Sequence, residues 1–273
     1  MRHLDLFSGI GGFAYAAQQV WGDEHKIVAF CEIDKFCQKV LKKHWPDTEI
    51  IEDIKDYEPE GLEGTVDILT GGFPCQPISV AGNRKGNADH RWLWPDMLRI
   101  IKAVRPTWII AENTANLKNM GLDEILDDLE ASSYETTQLV IPAFAVGLPH
   151  KRNRLYLVAH ADSIDGGGQS QQSTSQGRES RNQSQGRGTD LLSDTKCAGL
   201  EGDVSEVLER AFKGRQDADF ARPDWGLPTP RICGRIDGIQ NRVDRLKSLG
   251  NAIVPQIAMI IMQAIKETEW GMF

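Results

Sequence analysis

The sequence predicts an α/β protein, a doubly wound and mostly parallel sheet, with a small, irregular second domain. Three observations carry this expectation. Short apolar runs alternate with segments of helical periodicity from Leu4 to Ala159, the pattern of strands and helices in layered α/β folds. Most of these runs end in glycine or an acid, residue types suited to the carboxyl edge of a parallel sheet, where ligands bind in this class. A stretch of Gly, Ser, Gln and Arg from Asp165 to Thr189, almost without apolar side chains, then interrupts the pattern. At 273 residues the chain exceeds the usual size for a single core.

The first strand, Leu4-Asp5-Leu6-Phe7, runs into Ser8-Gly9-Ile10-Gly11-Gly12-Phe13 and a helix from Ala14 to Val20. Strand, glycine turn and helix form a unit that cradles a phosphate or nucleotide, although a short glycine run alone is a weak signal. The second strand, Ile27 to Cys31, ends at Glu32-Ile33-Asp34. An acid at that place accepts hydrogen bonds from ribose hydroxyls; Glu32 takes this role and Asp34 caps the helix Lys35 to His44. Proline at position 46 stops that helix. Ile50-Ile51 is a third strand, and Asp53 after it is placed to accept from an adenine amino group, the alternative being an ordinary loop acid.

Val66, Ile68 and Leu69 belong to a fourth strand that stops at Gly71-Gly72 and hands over to Phe73-Pro74-Cys75-Gln76-Pro77. The prolines stiffen the backbone on both sides of Cys75 and remove amide donors, so the thiol is expected at the crevice and not as a small buried hydrophobe. Ile78 to Trp92 is polar, basic and glycine-hinged, as in a lid that closes over substrate. A helix from Trp94 to Val104 leads to a fifth strand, Trp108 to Ala111, and to Glu112-Asn113-Thr114. A carboxyl there, its pKa raised in a dry pocket, is placed to protonate or hydrogen-bond a ring nitrogen. An amphipathic helix, Leu122 to Ala131, turns Ile125, Leu126 and Leu129 inward. Strands follow over Thr136 to Ile141 and Leu155 to Ala159. Before the latter, Arg152 and Arg154 alternate and on extended chain share one side, where they can hold a phosphate or carboxylate.

Residues 1–161 and 246–273 are expected to form one domain and 162–245 a second, with 165–189 a flexible linker. The second holds a short helix, Ser205 to Lys213, and a turn-rich piece around Trp225 to Arg231. Gly250-Asn251 reads as a turn. The apolar helix Gln256 to Ile265 needs a core and is expected to return to the first domain. The net charge of −8 alone argues against nucleic-acid binding, yet Arg210, Lys213, Arg215, Arg222, Arg231, Arg235, Arg242, Arg245 and Lys247 outnumber the acids among them. Five cysteines without a CxxC pair argue for a reducing compartment and against disulfides or a metal site. No signal peptide is expected at the start, nor a membrane span, so the cytoplasm is the expected location.

Taken together, Asp5 to Phe13, Glu32-Ile33-Asp34, Asp53-Ile54, Gly72-Phe73-Pro74-Cys75-Gln76, Glu112-Asn113-Thr114, Arg152-Asn153-Arg154 and Gly250 to Pro255 resemble, in order and type, the motifs of bacterial and phage DNA (cytosine-5-)methyltransferases. Thr114 stands where that family usually has valine, and His150 where glutamine is commoner. The resemblance implies a Rossmann-like methyltransferase fold and the cofactor S-adenosylmethionine, released as S-adenosylhomocysteine. It implies that Cys75 adds to cytosine C6, that Glu112 engages N3 and the exocyclic amine, and that Arg154 with Arg152 holds the base or an adjacent phosphate. Phe7 would pack on the adenine, with Ser8, Gly9, Gly11 and Gly12 in the cofactor turn. Glu32 and Ile33, Asp53 and Ile54, Pro74, and Asn251 with Ala252 would complete the pocket. The implied substrate is duplex DNA with a flipped cytosine, read by residues 162–245. The implied protein is a monomer, a cytoplasmic enzyme of a bacterium or phage-infected cell, compatible with a restriction endonuclease partner. Three rivals are weighed against it. A nicotinamide dehydrogenase gives no reason for Pro-Cys-Gln. An RNA cytosine methyltransferase of the same family is the nearer rival, and a non-catalytic DNA-binding relative has no need of Cys75, Glu112 and Arg154 together.

Overall fold

The structure is a computed structural model that describes residues 1–74, 92–119, 121–161 and 242–269. Cys75, all but the last residue of the expected lid, the linker and the helix and turns expected between 205 and 231 lie outside the described residues.

Seven strands form one sheet: β1 (Arg2–Leu6), β2 (Lys26–Cys31), β3 (Glu49–Ile51), β4 (Ile68–Gly71), β5 (Trp108–Thr114), β6 (Tyr134–Pro142) and β7 (Asn153–Ala161). Their order is β3-β2-β1-β4-β5-β7-β6. Pairing is parallel from β3 through β5, and β7 runs antiparallel to both β5 and β6. The chain builds outward from β1 to β3, then crosses to the other side of β1 to lay down β4. This reversal separates the connections that leave the carboxyl ends of β1 and β4 and opens a crevice there.

The central strands are apolar on both faces because helices cover both. Leu4, Leu6, Leu69 and Ile109 face a cluster that includes Met97, Ile100 and Ile101 of α3 (Trp94–Val104) and Ile125 and Leu129 of α4 (Leu122–Glu130). Ile68, Trp108 and Ile110 face the opposite cluster, with Phe13, Ala16 and Ala17 of α1 (Gly12–Trp21) and Ile257, Ile261 and Ile265 of the last helix, Pro255–Glu269. The stretch Val243–Glu269 is long and apolar enough to cross a membrane by length and composition alone. Its residues Ile257, Ala258, Ile261, Met262, Ala264 and Ile265 are instead buried in the cluster shared with α1 and the sheet.

Capping accounts for the starts of two helices. Asp34 accepts from the amides of Phe36 and Cys37 and opens α2 (Lys35–His44) as expected. Proline at the second position of α3 needs no amide partner there. The expected turn at Gly250-Asn251 is not one: both residues close a helix, α5 (Arg242–Asn251), and α6 is Pro255–Glu269. The Ala252 amide still donates to Ser248 O at 2.9 Å, so the helical ladder runs through the glycine, whose cost of about 1 kcal/mol relative to alanine is tolerated.

A polar thread crosses the apolar layer between β1, β4 and α1. The Thr70 hydroxyl donates to Asp5 Oδ1 at 2.6 Å. His3 Nε2, 2.7 Å from Thr70 Oγ1, must then donate to it, and His3 Nδ1 accepts from His25 Nε2 at 3.0 Å. Burial drives all three titratable groups toward neutrality: Asp5 is pushed up to about 7, His25 down to about 4, and His3 well below the usual imidazole range. Replacing Thr70 with valine leaves His3 Nε2 and Asp5 Oδ1 unpaired in the core. Thr70→Val is expected to lower stability by about 1–3 kcal/mol, read from urea unfolding followed by circular dichroism.

Candidate active site

The crevice at the carboxyl edge holds a cavity of about 620 Å³, within the range that suits a nucleoside-sized ligand. Its walls come from the segments after β1, β2, β3 and β4, from the last residues of β5, from Arg154 of β7 and from the end of α5.

The segment after β1 is bent tightly. Phe7 adopts a positive φ of 52°, unusual for a bulky residue, and Gly9 and Gly11 follow at 55° and 84°. Ser8 holds the bend: its hydroxyl donates to Asp5 O at 2.6 Å and its amide to Cys31 O at 3.1 Å. A side chain at Gly11 would meet the Trp45 ring at 2.6 Å, and one at Gly12 would meet Ile253 Cγ1 at 2.7 Å. Phe7 and Gly9 line the cavity, whereas Ser8, Gly11 and Gly12 shape the turn behind it.

Glu32 stands at the centre of this wall. Its Oε2 accepts from the Gly9 amide and its Oε1 from the Asp34 amide, both at 2.7 Å. Burial raises its pKa against these two donors. Ile33, Asp53 and Ile54 continue the lining. The Asp53 carboxylate also accepts from the Lys55 amide at 3.0 Å and so caps a short 3-10 turn.

The opposite wall is built by β4, β5 and β7. Phe73 is buried beside the rings of Trp92 and Trp94, and its carbonyl accepts from Asn113 Nδ2 at 3.0 Å. Pro74, which lines the cavity, is the last described residue before Cys75. Glu112 is 8% exposed, and Arg154 Nε approaches its Oε1 at 2.9 Å. The pair follows from register: Glu112 lies opposite Tyr156 and Thr114 opposite Arg154, so Glu112 and Arg154 are diagonal neighbours on one face. Burial pushes Glu112 up to about 7, outweighing the pull of Arg154 and Arg152. Arg152 lies one residue before β7, and its Nη2 donates to Ala252 O at 2.8 Å. It is not among the residues that line the cavity.

The last wall is the end of α5. Lys247 pairs with Asp34 at 2.7 Å, and Ser248 Oγ lies 3.5 Å from Cys37 Sγ. Gly250, Asn251 and Ala252 complete the lining. Most expected site residues within the described segments thus meet in one cavity: Phe7, Gly9, Glu32, Ile33, Asp53, Ile54, Pro74, Glu112, Arg154, Asn251 and Ala252. Lys247, Ser248, Cys31, Cys37, Phe73 and Asn113 join them without having been assigned there from sequence. Asn113 had a usable signal, its place directly after Glu112 at a strand end. Lys247 and Ser248 had none, because their partners lie more than two hundred residues away.

The model of the C-5 cytosine-specific DNA methylase family matches residues 1–211. The Type II methyltransferase M.HgiBI of Herpetosiphon aurantiacus is 32% identical over 169 residues, 60% of this chain and 38% of that protein. The Type II methyltransferase M1.ScrFI of Lactococcus lactis subsp. cremoris is 39% identical over 162 residues, 58% and 41% of the two chains. M.NlaX of Neisseria lactamica is 36% identical over 160 residues, 57% and 50%. The matches with these relatives span half of their length or less. Among solved structures, a DNMT2 variant of Spodoptera frugiperda superposes with a TM-score of 0.51 at 24% identity, covering 63% of this chain and 53% of its own. The methyltransferase EhMeth of Entamoeba histolytica gives 0.51 at 19%, covering 64% and 57%. These last two show the shared Rossmann-like fold. By the family match over most of its length, the chain belongs to the C-5 cytosine-specific DNA methylase family.

Proposed function

We propose that the chain transfers a methyl group from S-adenosylmethionine to C5 of a cytosine flipped out of duplex DNA. The observation that carries the proposal is a desolvated, protonatable carboxyl, Glu112, clamped by Arg154 at the rim of a nucleoside-sized cavity that also holds Glu32 and Phe7. The cavity fits the cofactor by donor set and space. Glu32 presents carboxylate oxygens for ribose hydroxyls, Phe7 an aromatic side chain for the adenine, and among the described residues nothing stands within 4 Å of where a side chain at Gly9 would begin. When bound, the sulfonium supplies an electrophilic methyl group.

Cytosine C5 is a poor nucleophile. In the proposed reaction the Cys75 thiolate adds to C6 while Glu112 gives a proton to N3, and the ring becomes an enamine nucleophilic at C5. Arg154 orients Glu112 and engages the base. Methyl transfer to C5 leaves S-adenosylhomocysteine; loss of the C5 proton to solvent, elimination of the Cys75 thiolate and return of the N3 proton to the Glu112 carboxylate then restore the aromatic ring. A duplex conceals C6, so the base must leave the stack, and residues 78–92 are proposed to close over it. Residues 1–161 and 246–273 form the proposed catalytic part, and residues 162–245 read the flanking bases. The protein acts as a monomer in the cytoplasm of a bacterium or phage-infected cell, where a restriction endonuclease is a fitting partner. The description of the matching family, a DNA methylase, favours DNA over RNA.

Labelled methyl from S-adenosylmethionine is expected in duplex DNA, with Cys75→Ser abolishing transfer and a 5-fluorocytosine duplex cross-linking at Cys75 in the presence of cofactor. Label confined to RNA would favour the RNA enzyme, and DNA binding without transfer the non-catalytic relative. Glu112 also has a pH signature. Its pKa rises on folding from an ordinary 4.5 to about 7, so its contribution to stability is full below the lower value and lost as pH climbs through the upper one. Asp5 titrates in the same sense. His3 and His25, held neutral below the ordinary imidazole range, titrate in the opposite sense, so Glu112 is read as a difference: between about pH 5 and pH 8 the thermal midpoint of the wild type is expected to fall relative to that of Glu112→Gln, measured by scanning calorimetry.

A further inference from the structure

We infer that Arg152 is a positioning residue for the cofactor pocket, holding the end of α5 in place, and not a contact to the target base. The inference rests on the reading that the cavity takes S-adenosylmethionine.

The end of α5 forms one wall of that cavity, yet little apolar burial holds the helix there. Val243, Leu246 and Leu249 are exposed at 78%, 47% and 64%, and between residues 243 and 251 Ser248 alone is buried. The position of the wall therefore depends on polar ties. The Lys247–Asp34 pair is exposed, and such pairs contribute little. The Ser248–Cys37 contact is a weak sulfur hydrogen bond at 3.5 Å. The third tie is stronger: the partly buried Arg152 guanidinium donates to Ala252 O at 2.8 Å, a charge-assisted bond. It acts just where the chain leaves α5. The next residue, Ile253, packs against Gly12 so closely that no Cβ fits there, and Val254 is buried. Arg152 therefore joins the start of β7, the residues that line the cavity and the first turn of α1.

The placement also separates the two arginines. Arg154 reaches Glu112 from within β7, whereas Arg152 is turned to a backbone carbonyl and leaves the cavity lining to Arg154. Burial and the neighbouring Arg154 cation both pull the Arg152 pKa down, an unfavourable setting for a guanidinium that the Ala252 carbonyl and the Glu112 carboxylate offset.

Binding of S-adenosylhomocysteine to the full chain by titration calorimetry tests this. Arg152→Ala is expected to weaken binding by about tenfold or more, and Arg152→Lys, which keeps a cationic donor, to recover part of it. At saturating S-adenosylmethionine the 5-fluorocytosine cross-link at Cys75 should keep its wild-type yield in both variants. Unchanged S-adenosylhomocysteine affinity in Arg152→Ala, with the cross-link lost, would overturn the inference and return Arg152 to the base. A wild-type chain that binds no S-adenosylhomocysteine would overturn the reading of the cavity itself, a separate result. Thermal midpoints verify folding, and if Arg152→Ala does not fold, Arg152→Gln takes its place in the same comparison.

Discussion

Two backbone amides that no strand satisfies, those of Gly9 and Asp34, end on the single carboxylate of Glu32. The crevice takes its shape from this interaction. Where β1 and β2 stop pairing, the outgoing segments carry donors that would be costly to leave unpaired near the protein interior. One acid satisfies both and thereby ties the glycine turn to the start of α2. Each of its oxygens is left with a further lone pair, so the same group that organises the crevice keeps acceptor capacity on its cavity side. Burial without full neutralisation is the cost of this arrangement, visible in its raised pKa.

Much of the fold was legible because its signals are local. The helix over Trp94–Val104 has the bounds the sequence suggests, since Pro95 marks its start and Pro106 its end. Asp34 caps α2, the role expected of an acid directly before Lys35. The strand ends at Glu32, Asp53, Pro74 and Glu112 were recognisable as one edge because parallel strands all deliver their last residues to the same side.

The less legible features depend on distant partners. Nothing local announces that β7 lies between β5 and β6, because short apolar strands carry no mark of their direction or their neighbours. Gly250-Asn251 looks like a turn in isolation, and only the ladder to Ser248 shows otherwise. Arg152 and Arg154 alternate and both act on Glu112 electrostatically, but β7 begins at Asn153. One guanidinium is therefore governed by strand register and the other by whatever carbonyl lies near the preceding loop. Lys247 and Ser248 were invisible for the same reason: their neighbours on α2 arrive from the far end of the chain.

The reversed direction of β7 has a consequence of its own. Parallel strands bring their final residues to the functional edge, so anything they contribute must precede a loop. β7 arrives from the other side and contributes its first residues, which places a cation opposite acids supplied by strand ends without another crossover. A deletion of one residue between Asn153 and Tyr156 would shift the pleat and send the Arg154 guanidinium to the back of the sheet. A change of length among residues 147 to 151 would leave it where it is. Drift in this part of the chain should therefore collect in the loop and spare the strand, for reasons of geometry before any question of chemistry arises.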